Sequence, residues 1–182
     1  MNKDYKNFLS IIGVALFLIF LASFQVSVIN SSFLNLNLFL ILILYLVLIK
    51  NDSKALIFAW LGGILTGLSY FSNFGIISLV LLILAAILII LYKTVFLTLK
   101  TESILLMSAT GVALYHFLNW LIINVLALFK LGSLEKFEFY FFNYEFLIEL
   151  ILTALILLII FKIKTPQAVR QRRGRQNAQK FI

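Results

Sequence analysis

Six apolar runs, separated by short polar gaps, dominate the sequence and leave few folds open to it. A helix needs about 20 mostly apolar residues to cross a bilayer, and the runs cover residues 8–28, 33–49, 55–71, 74–91, 104–128 and 146–163. Apolar residues make up 63% of the chain, against about 45–50% of ordinary soluble domains. This excess requires lipid as a solvent. We predict an all-α integral membrane bundle of six transmembrane helices in residues 1–165, followed by a tail at residues 166–182.

The basic residues alternate from gap to gap along the chain. Of the 15 Lys and Arg residues, only Lys130 and Lys136 fall on the side opposite the two termini. Because cytoplasmic loops are enriched in Lys and Arg, this alternation predicts six spans with both ends in the cytoplasm. The first run is longer than the apolar core of a signal peptide and no A-x-A site follows it, so we expect it to be retained as a helix.

The tail after Pro166 carries much of the net charge of +8. We expect it to be poorly ordered and to lie beside anionic lipid, where each basic residue near the surface contributes roughly 1 kcal/mol. A docking tail for a cytoplasmic partner or RNA is the sharper alternative, since charged tails serve many roles. The placement of the charge in the membrane gaps gives no reason to expect a nucleic-acid partner.

Polar side chains inside the last two runs form a possible intramembrane polar cluster of His116, Asn119, Asn124 and Glu149. At 100° per residue, the first three share one broad helix face. Glu149 lies one turn into the last run, at a depth that makes a hydrogen bond to Asn124 plausible. Such groups either join helices by interhelical hydrogen bonds or mark a site or relay.

The residues favour no enzymatic chemistry. The chain has no cysteine and one histidine, which excludes disulfides, thiolate metal sites and a multi-histidine site within one chain. No nucleophile–base pair, metal spacing or phosphate loop accompanies the polar cluster. We therefore expect no catalytic residue, no metal and no cofactor.

Small residues recur every four positions in the third run, at Ala59, Gly63 and Gly67. This spacing lets two helix backbones approach closely in lipid. Gly62 and Thr66 widen the same smooth face. We expect the third and fourth runs to form a tightly packed hairpin. The chain should turn at residues 72–73, and Gly75 should allow a tight entry into the fourth helix.

Aromatic residues crowd the gap before the sixth run. Such residues commonly lie at headgroup level, and clustered aromatics also anchor interfaces with partners. The possible partner-docking residues are Phe137, Phe139, Tyr140, Phe142 and Tyr144.

The order of these features over residues 8–128 resembles the bacterial rod shape-determining protein MreD family. That family has a leucine-rich second helix, a short basic turn, a third helix of the form G-x-x-x-D-L and an outer turn. Gly63, Leu68, the turn "YFSNF" and Gly75–Ile76 match this order. The chain departs from it with Leu36–Asn37 in place of Pro-Asp, Gly67 at the acidic position, and His116 where an acidic residue often stands.

The resemblance implies a non-enzymatic scaffold of the cell-elongation machinery in the bacterial inner membrane. Its implied partners are the bitopic protein MreC, the actin-like MreB and the peptidoglycan synthase complex. We expect the outer aromatics and the glycine-rich hairpin to meet MreC, and the basic face to meet MreB or anionic lipid. The alternative is a substrate-binding S-component of a vitamin transporter, a class thought to share the MreD fold.

Overall fold

Six helices make up the bundle in the part of the chain that the computed structural model describes, residues 3–25, 27, 36–70, 75–95, 101–129 and 144–179. Their bounds are α1 Lys3–Phe24, α2 Leu38–Leu48, α3 Asp52–Tyr70, α4 Ile76–Thr94, α5 Thr101–Leu128 and α6 Tyr144–Gln179. No strand occurs in these ranges. The all-α prediction is therefore confirmed, and each helix overlaps one of the six apolar runs.

Among the described residues, three helices are long and apolar enough to cross a membrane, judged by length and composition. They are α4, α5 and the first part of α6, Tyr144–Ile163. Two shorter apolar helical stretches, Ile12–Phe24 and Leu38–Leu48, accompany them. These are the features of a membrane protein.

The short helix α2 forms the centre of the bundle. It contacts α3, α4, α5 and α6. Its fully buried side chains are Phe39, Leu40, Ile43, Leu44, Val47 and Leu48. A helix that is apolar on every side is stable only when neighbours or lipid cover all of it, and here the neighbouring helices provide the cover.

The second run was expected to form a helix from residue 33, but α2 begins at Leu38. The reason is Asn37, whose side-chain Oδ1 accepts a hydrogen bond of 3.1 Å from the backbone N–H of Leu40. Asparagine is a preferred N-cap because it satisfies a backbone donor that the first turn leaves free. With 11 residues, α2 is about 16 Å long, shorter than the hydrocarbon layer.

Helices α3 and α4 pack on each other more extensively than any other pair in the described ranges. The backbones meet at Gly63, where a Cβ atom would overlap the Cα of Ser78 and lie 2.7 Å from its backbone nitrogen. Beside this contact the hydroxyl of Ser78 donates a hydrogen bond of 3.1 Å to the carbonyl of Trp60. The closely packed hairpin expected from the small residues is therefore present.

Glycines also lie where α2 meets its neighbours. A Cβ on Gly62 would come within 2.8 Å of the ring of Phe39. One on Gly111 of α5 would come within 2.8 Å of Leu44. At the start of α4, Gly75 has φ of +89°, a conformation that glycine adopts at little cost. The turn expected at residues 72–73 lies outside the described residues.

The backbone of α6 is helical as far as Gln179, beyond the start of the tail at residue 166, and the poor order expected of the tail stays a prediction. Proline at position 166 removes one backbone donor and normally kinks or ends a helix. The residues that follow it are rich in Gln, Ala and Arg, which are good helix formers. Local helix propensity thus outweighs the lost hydrogen bond.

Two contacts bring the α2–α3 turn against the end of α4. The Nζ of Lys93 lies 2.6 Å from Oδ2 of Asp52, and the Nζ of Lys50 lies 6.0 Å from the centre of the Tyr92 ring. Two of the gaps that the charge pattern assigns to one side therefore lie at one end of the bundle. We call this the basic end.

Replacing Gly63 with alanine should destabilise the protein, because the added methyl group meets backbone atoms of α4 that cannot move aside. We expect a loss of about 1–3 kcal/mol, the usual cost of overpacking, measured by thermal unfolding of the purified protein in detergent. Gly13→Ala is the matched control, since no atom lies within 4 Å of a Cβ at that position. An equal melting temperature for the two variants would contradict the close α3–α4 contact.

Candidate functional site

The structure brings His116 of α5 and Glu149 of α6 together, 33 residues apart in the chain. The Nε2 of His116 lies 2.6 Å from Oε2 of Glu149. The Glu149 side chain is 3% exposed and that of His116 is 27% exposed. The pair therefore joins two of the membrane-length helices through a contact in which the glutamate is buried and the histidine is partly exposed.

Aromatic rings hold the imidazole of His116 in place. The ring of Phe146, three residues before Glu149 on α6, meets it edge to face at a centroid distance of 5.7 Å. Tyr115 packs against it in a similar geometry at 5.4 Å. Edge-to-face contacts of this kind orient a ring as well as burying it, so the imidazole is aimed at the carboxylate.

The hydrogen bond considered between Asn124 and Glu149 is absent, and this expectation was wrong. The side-chain nitrogen of Asn124 donates instead to the backbone carbonyl of Trp120, at 2.9 Å on the same helix. A bond to the preceding turn requires no second helix, so it competes well with an interhelical one. Asn119 is partly exposed and does not join the His116–Glu149 pair.

Two buried oxygen atoms on α6 have no hydrogen-bond partner in the described residues. They are Oε1 of Glu149 and Oγ1 of Thr153, one helical turn apart on the same face. Leaving a buried polar atom unpaired costs about 1–3 kcal/mol. Glu149 thus retains one oxygen able to accept a further hydrogen bond.

The arrangement can join two helices, and the open oxygen of Glu149 can accept a hydrogen bond from a polar group. Within the described ranges no group of three or more His, Cys, Asp or Glu side chains could hold a metal ion. Removing either partner of this contact is costly, because the other polar group is then left without its hydrogen bond. The pair therefore fixes how α5 and α6 sit against each other.

The predicted helix-packing residues lie inside the bundle. Ala59 is fully buried, and Gly63 and Gly67 are buried as well. Gly63 meets Ser78 of α4, and the neighbouring Gly62 meets Phe39 of α2. Sequence reasoning singled out this face but missed Gly111, which plays the same part against Leu44.

Four of the five predicted partner-docking aromatics, Phe137, Phe139, Tyr140 and Phe142, lie outside the described residues. The fifth, Tyr144, is the first residue of α6. It is 60% exposed, and its hydroxyl donates to Oε1 of Glu145 at 3.3 Å. Its exposure at the end of the bundle is compatible with either a headgroup position or a contact with a partner.

Comparisons of the chain with protein-family models, curated proteins and solved structures found no match.

A double-mutant cycle on His116→Ala and Glu149→Ala should give a coupling free energy of about 1 kcal/mol, the size of interhelical hydrogen bonds in membrane proteins. Thermal or denaturant unfolding in detergent measures it. The matched cycle uses Asn124→Ala with Glu149→Ala and should be additive within about 0.5 kcal/mol. Coupling that is equal in the two cycles would show that the His116–Glu149 contact does not join the helices.

Proposed function

We propose that the chain is a non-enzymatic scaffold of the bacterial cell-elongation complex, similar to the MreD family, which binds a bitopic partner of the MreC type. It acts beside MreB and the peptidoglycan synthase complex. This proposal rests on the resemblance to the family in Gly63, Leu68 and Gly75–Ile76.

The observation that favours a scaffold most is the filled centre of the bundle. Small-molecule sites are concave and hold a few convergent polar groups. The middle of this bundle instead holds α2, with apolar side chains such as Phe39, Leu40 and Leu44 at 0% exposure. A centre filled by apolar side chains suits a protein that presents surfaces to other proteins.

The proposed topology has six crossings of the bacterial inner membrane with both termini in the cytoplasm. Support comes from the charge pattern and from the basic end, where Lys50, Lys54 and Lys93 lie on exposed positions. Helix α2 is too short to cross the membrane by itself, so the non-helical residues before it would also lie at membrane depth. Non-helical backbone is tolerated there when protein shields it from lipid, and Leu36 and Asn37 are buried.

The surface proposed for the partner is the outer face of α3 together with the aromatic residues before α6. Ile57, Trp60 and Leu68 lie along this face and are about half exposed, at 54%, 52% and 50%. The opposite, glycine-lined face is already used inside the bundle. A transmembrane helix of the partner would therefore meet large apolar side chains, with Trp60 as the anchor.

The second candidate, an S-component-like transporter subunit, is favoured by the unpaired oxygen atoms of Glu149 and Thr153. A small polar ligand could satisfy both. Such a subunit would copurify with an ATPase module and with its ligand, whereas the scaffold would not.

A pull-down in mild detergent from the native host separates the two candidates. The scaffold proposal predicts recovery of an MreC-like protein and the synthase, and recovery of an ATPase module would contradict it. Trp60→Ala should reduce partner recovery at least about tenfold, because buried Trp residues dominate interface energies. Phe20→Ala is the control, an aromatic 66% exposed on α1, and should leave recovery unchanged.

Depletion of the protein in its host tests the cellular role. The proposal predicts wider, rounder cells and loss of the normal localisation of the synthase, measured by microscopy. Unchanged width together with normal synthase localisation would exclude a role in elongation.

A further inference from the structure

A small cavity lies at the basic end, where the α2–α3 turn meets the last turn of α4. Its volume is about 260 Å³, and it is lined by Lys50, Asp52, Tyr92 and Lys93. A water molecule takes about 30 Å³ of liquid volume, so the cavity has room for a compact polar group. Its place at the end of α4, Ile76–Thr94, puts it where an apolar span gives way to polar surface.

Lys50 stands in a conformation that ordinarily favours glycine. Its φ is +60°, and the N–H groups of Lys50 and Asn51 bond to the carbonyls of Val47 and Leu46, each at 2.9 Å. This is the Schellman arrangement that ends many helices, with glycine usual at the position of Lys50. The two backbone hydrogen bonds fix the conformation of Lys50, and this conformation determines the direction in which its side chain leaves the turn.

The ammonium of Lys50 faces the Tyr92 ring at 6.0 Å. No carboxylate in the described ranges forms a salt bridge with it. A cation over an aromatic face gains roughly 0.5–1 kcal/mol at an exposed site, which is less than an anion would provide. Lys50 therefore retains capacity to bind an anion.

Tyr92 lines the same cavity and carries a buried hydroxyl group. The residue is 4% exposed, and its hydroxyl has no hydrogen-bond partner among the described residues. Buried hydroxyl groups are normally paired, so an unpaired one on a residue that lines the cavity leaves a donor for a group bound there.

Cations outweigh anions around the cavity. Two lysines and one aspartate line it. Lys93 is paired with Asp52 at 2.6 Å, but an ammonium has three N–H donors and keeps the others. The N-terminus of α3, a helix of 19 residues, adds the positive end of its dipole.

From the two lysines, the unpaired hydroxyl and the cavity, we propose that this pocket binds a phosphate group. The phosphate belongs either to an anionic lipid headgroup at the basic end or to a free phosphate ion. Its oxygens would accept hydrogen bonds from Lys50, Lys93 and the Tyr92 hydroxyl. This proposal does not depend on the scaffold function or on its partner.

The experiment uses the full chain in detergent and two probes, phosphatidylglycerol and inorganic phosphate, with phosphatidylcholine as the neutral lipid. Native mass spectrometry counts bound lipid, and phosphate is added separately to see whether it binds or displaces lipid. We expect phosphatidylglycerol to bind in preference to phosphatidylcholine. Binding of inorganic phosphate alone would support the phosphate pocket and assign it to the free ion.

The decisive variant is Lys50→Gly, which removes the charge while supplying the residue that the turn prefers. It should fold at least as well as the parent and bind about fivefold more weakly, the effect expected for one basic residue at a lipid surface. Lys54→Gln is the matched control, because Lys54 is exposed on α3 and does not line the cavity. It makes the same change in net charge.

Tyr92→Phe removes only the hydroxyl. It should leave the melting temperature of the ligand-free protein unchanged or raised, since an unpaired buried donor is lost, and should weaken probe binding about tenfold. Equal binding by Lys50→Gly and Lys54→Gln would show a diffuse charge effect and overturn the pocket. So would the absence of binding by both probes.

Discussion

The bundle depends on burying one short helix that has no polar side. Along α2, Leu38–Leu48, every residue is Leu, Ile, Phe, Tyr or Val, and four other helices cover it. In lipid, apolar burial gives no drive for helices to associate, so close packing must supply it. Glycines lie where that packing is tightest, and they set the distances between helices.

The same constraint explains where the polar groups occur. Inside the bundle, a hydroxyl or carboxylate that is hydrogen-bonded finds its partner on its own helix or on a neighbour, because lipid offers none. Ser78 bonds across to α3, Thr66 bonds back to the carbonyl of Gly62 at 2.8 Å, and His116 meets Glu149. The contacts of Ser78 and of the His116–Glu149 pair specify which helix faces lie together, which apolar packing alone leaves loosely defined.

Much of this arrangement could be predicted from the sequence. Long apolar runs predict helices reliably, and spacing by four places Ala59, Gly63 and Gly67 on one face wherever the helix lies. The tight turn at Gly75 is also a local feature, and the structure confirms it with a positive φ at this residue. Asn37 is a recognisable N-cap signal, so the later start of α2 was within reach of sequence reasoning.

Long-range pairings were harder to predict, because they depend on helix rotation. Whether Glu149 meets His116 or Asn124 changes with a rotation of α6 that no local pattern determines. Gly111 is a lone glycine in α5 and shows its role only when Leu44 is placed against it. The positive φ of Lys50 could not be predicted either, since a lysine in the sequence gives no indication of a turn that usually requires glycine.

The central claim is that the bundle crosses the membrane with its basic end in the cytoplasm. The chain has no cysteine, so single cysteines can be introduced at Lys54 and Tyr144 without further changes and labelled with a membrane-impermeant maleimide in intact spheroplasts. The account predicts that Tyr144→Cys is labelled at once and Lys54→Cys only after the membrane is permeabilised. Labelling of both from the outside, or the reverse order, would contradict it.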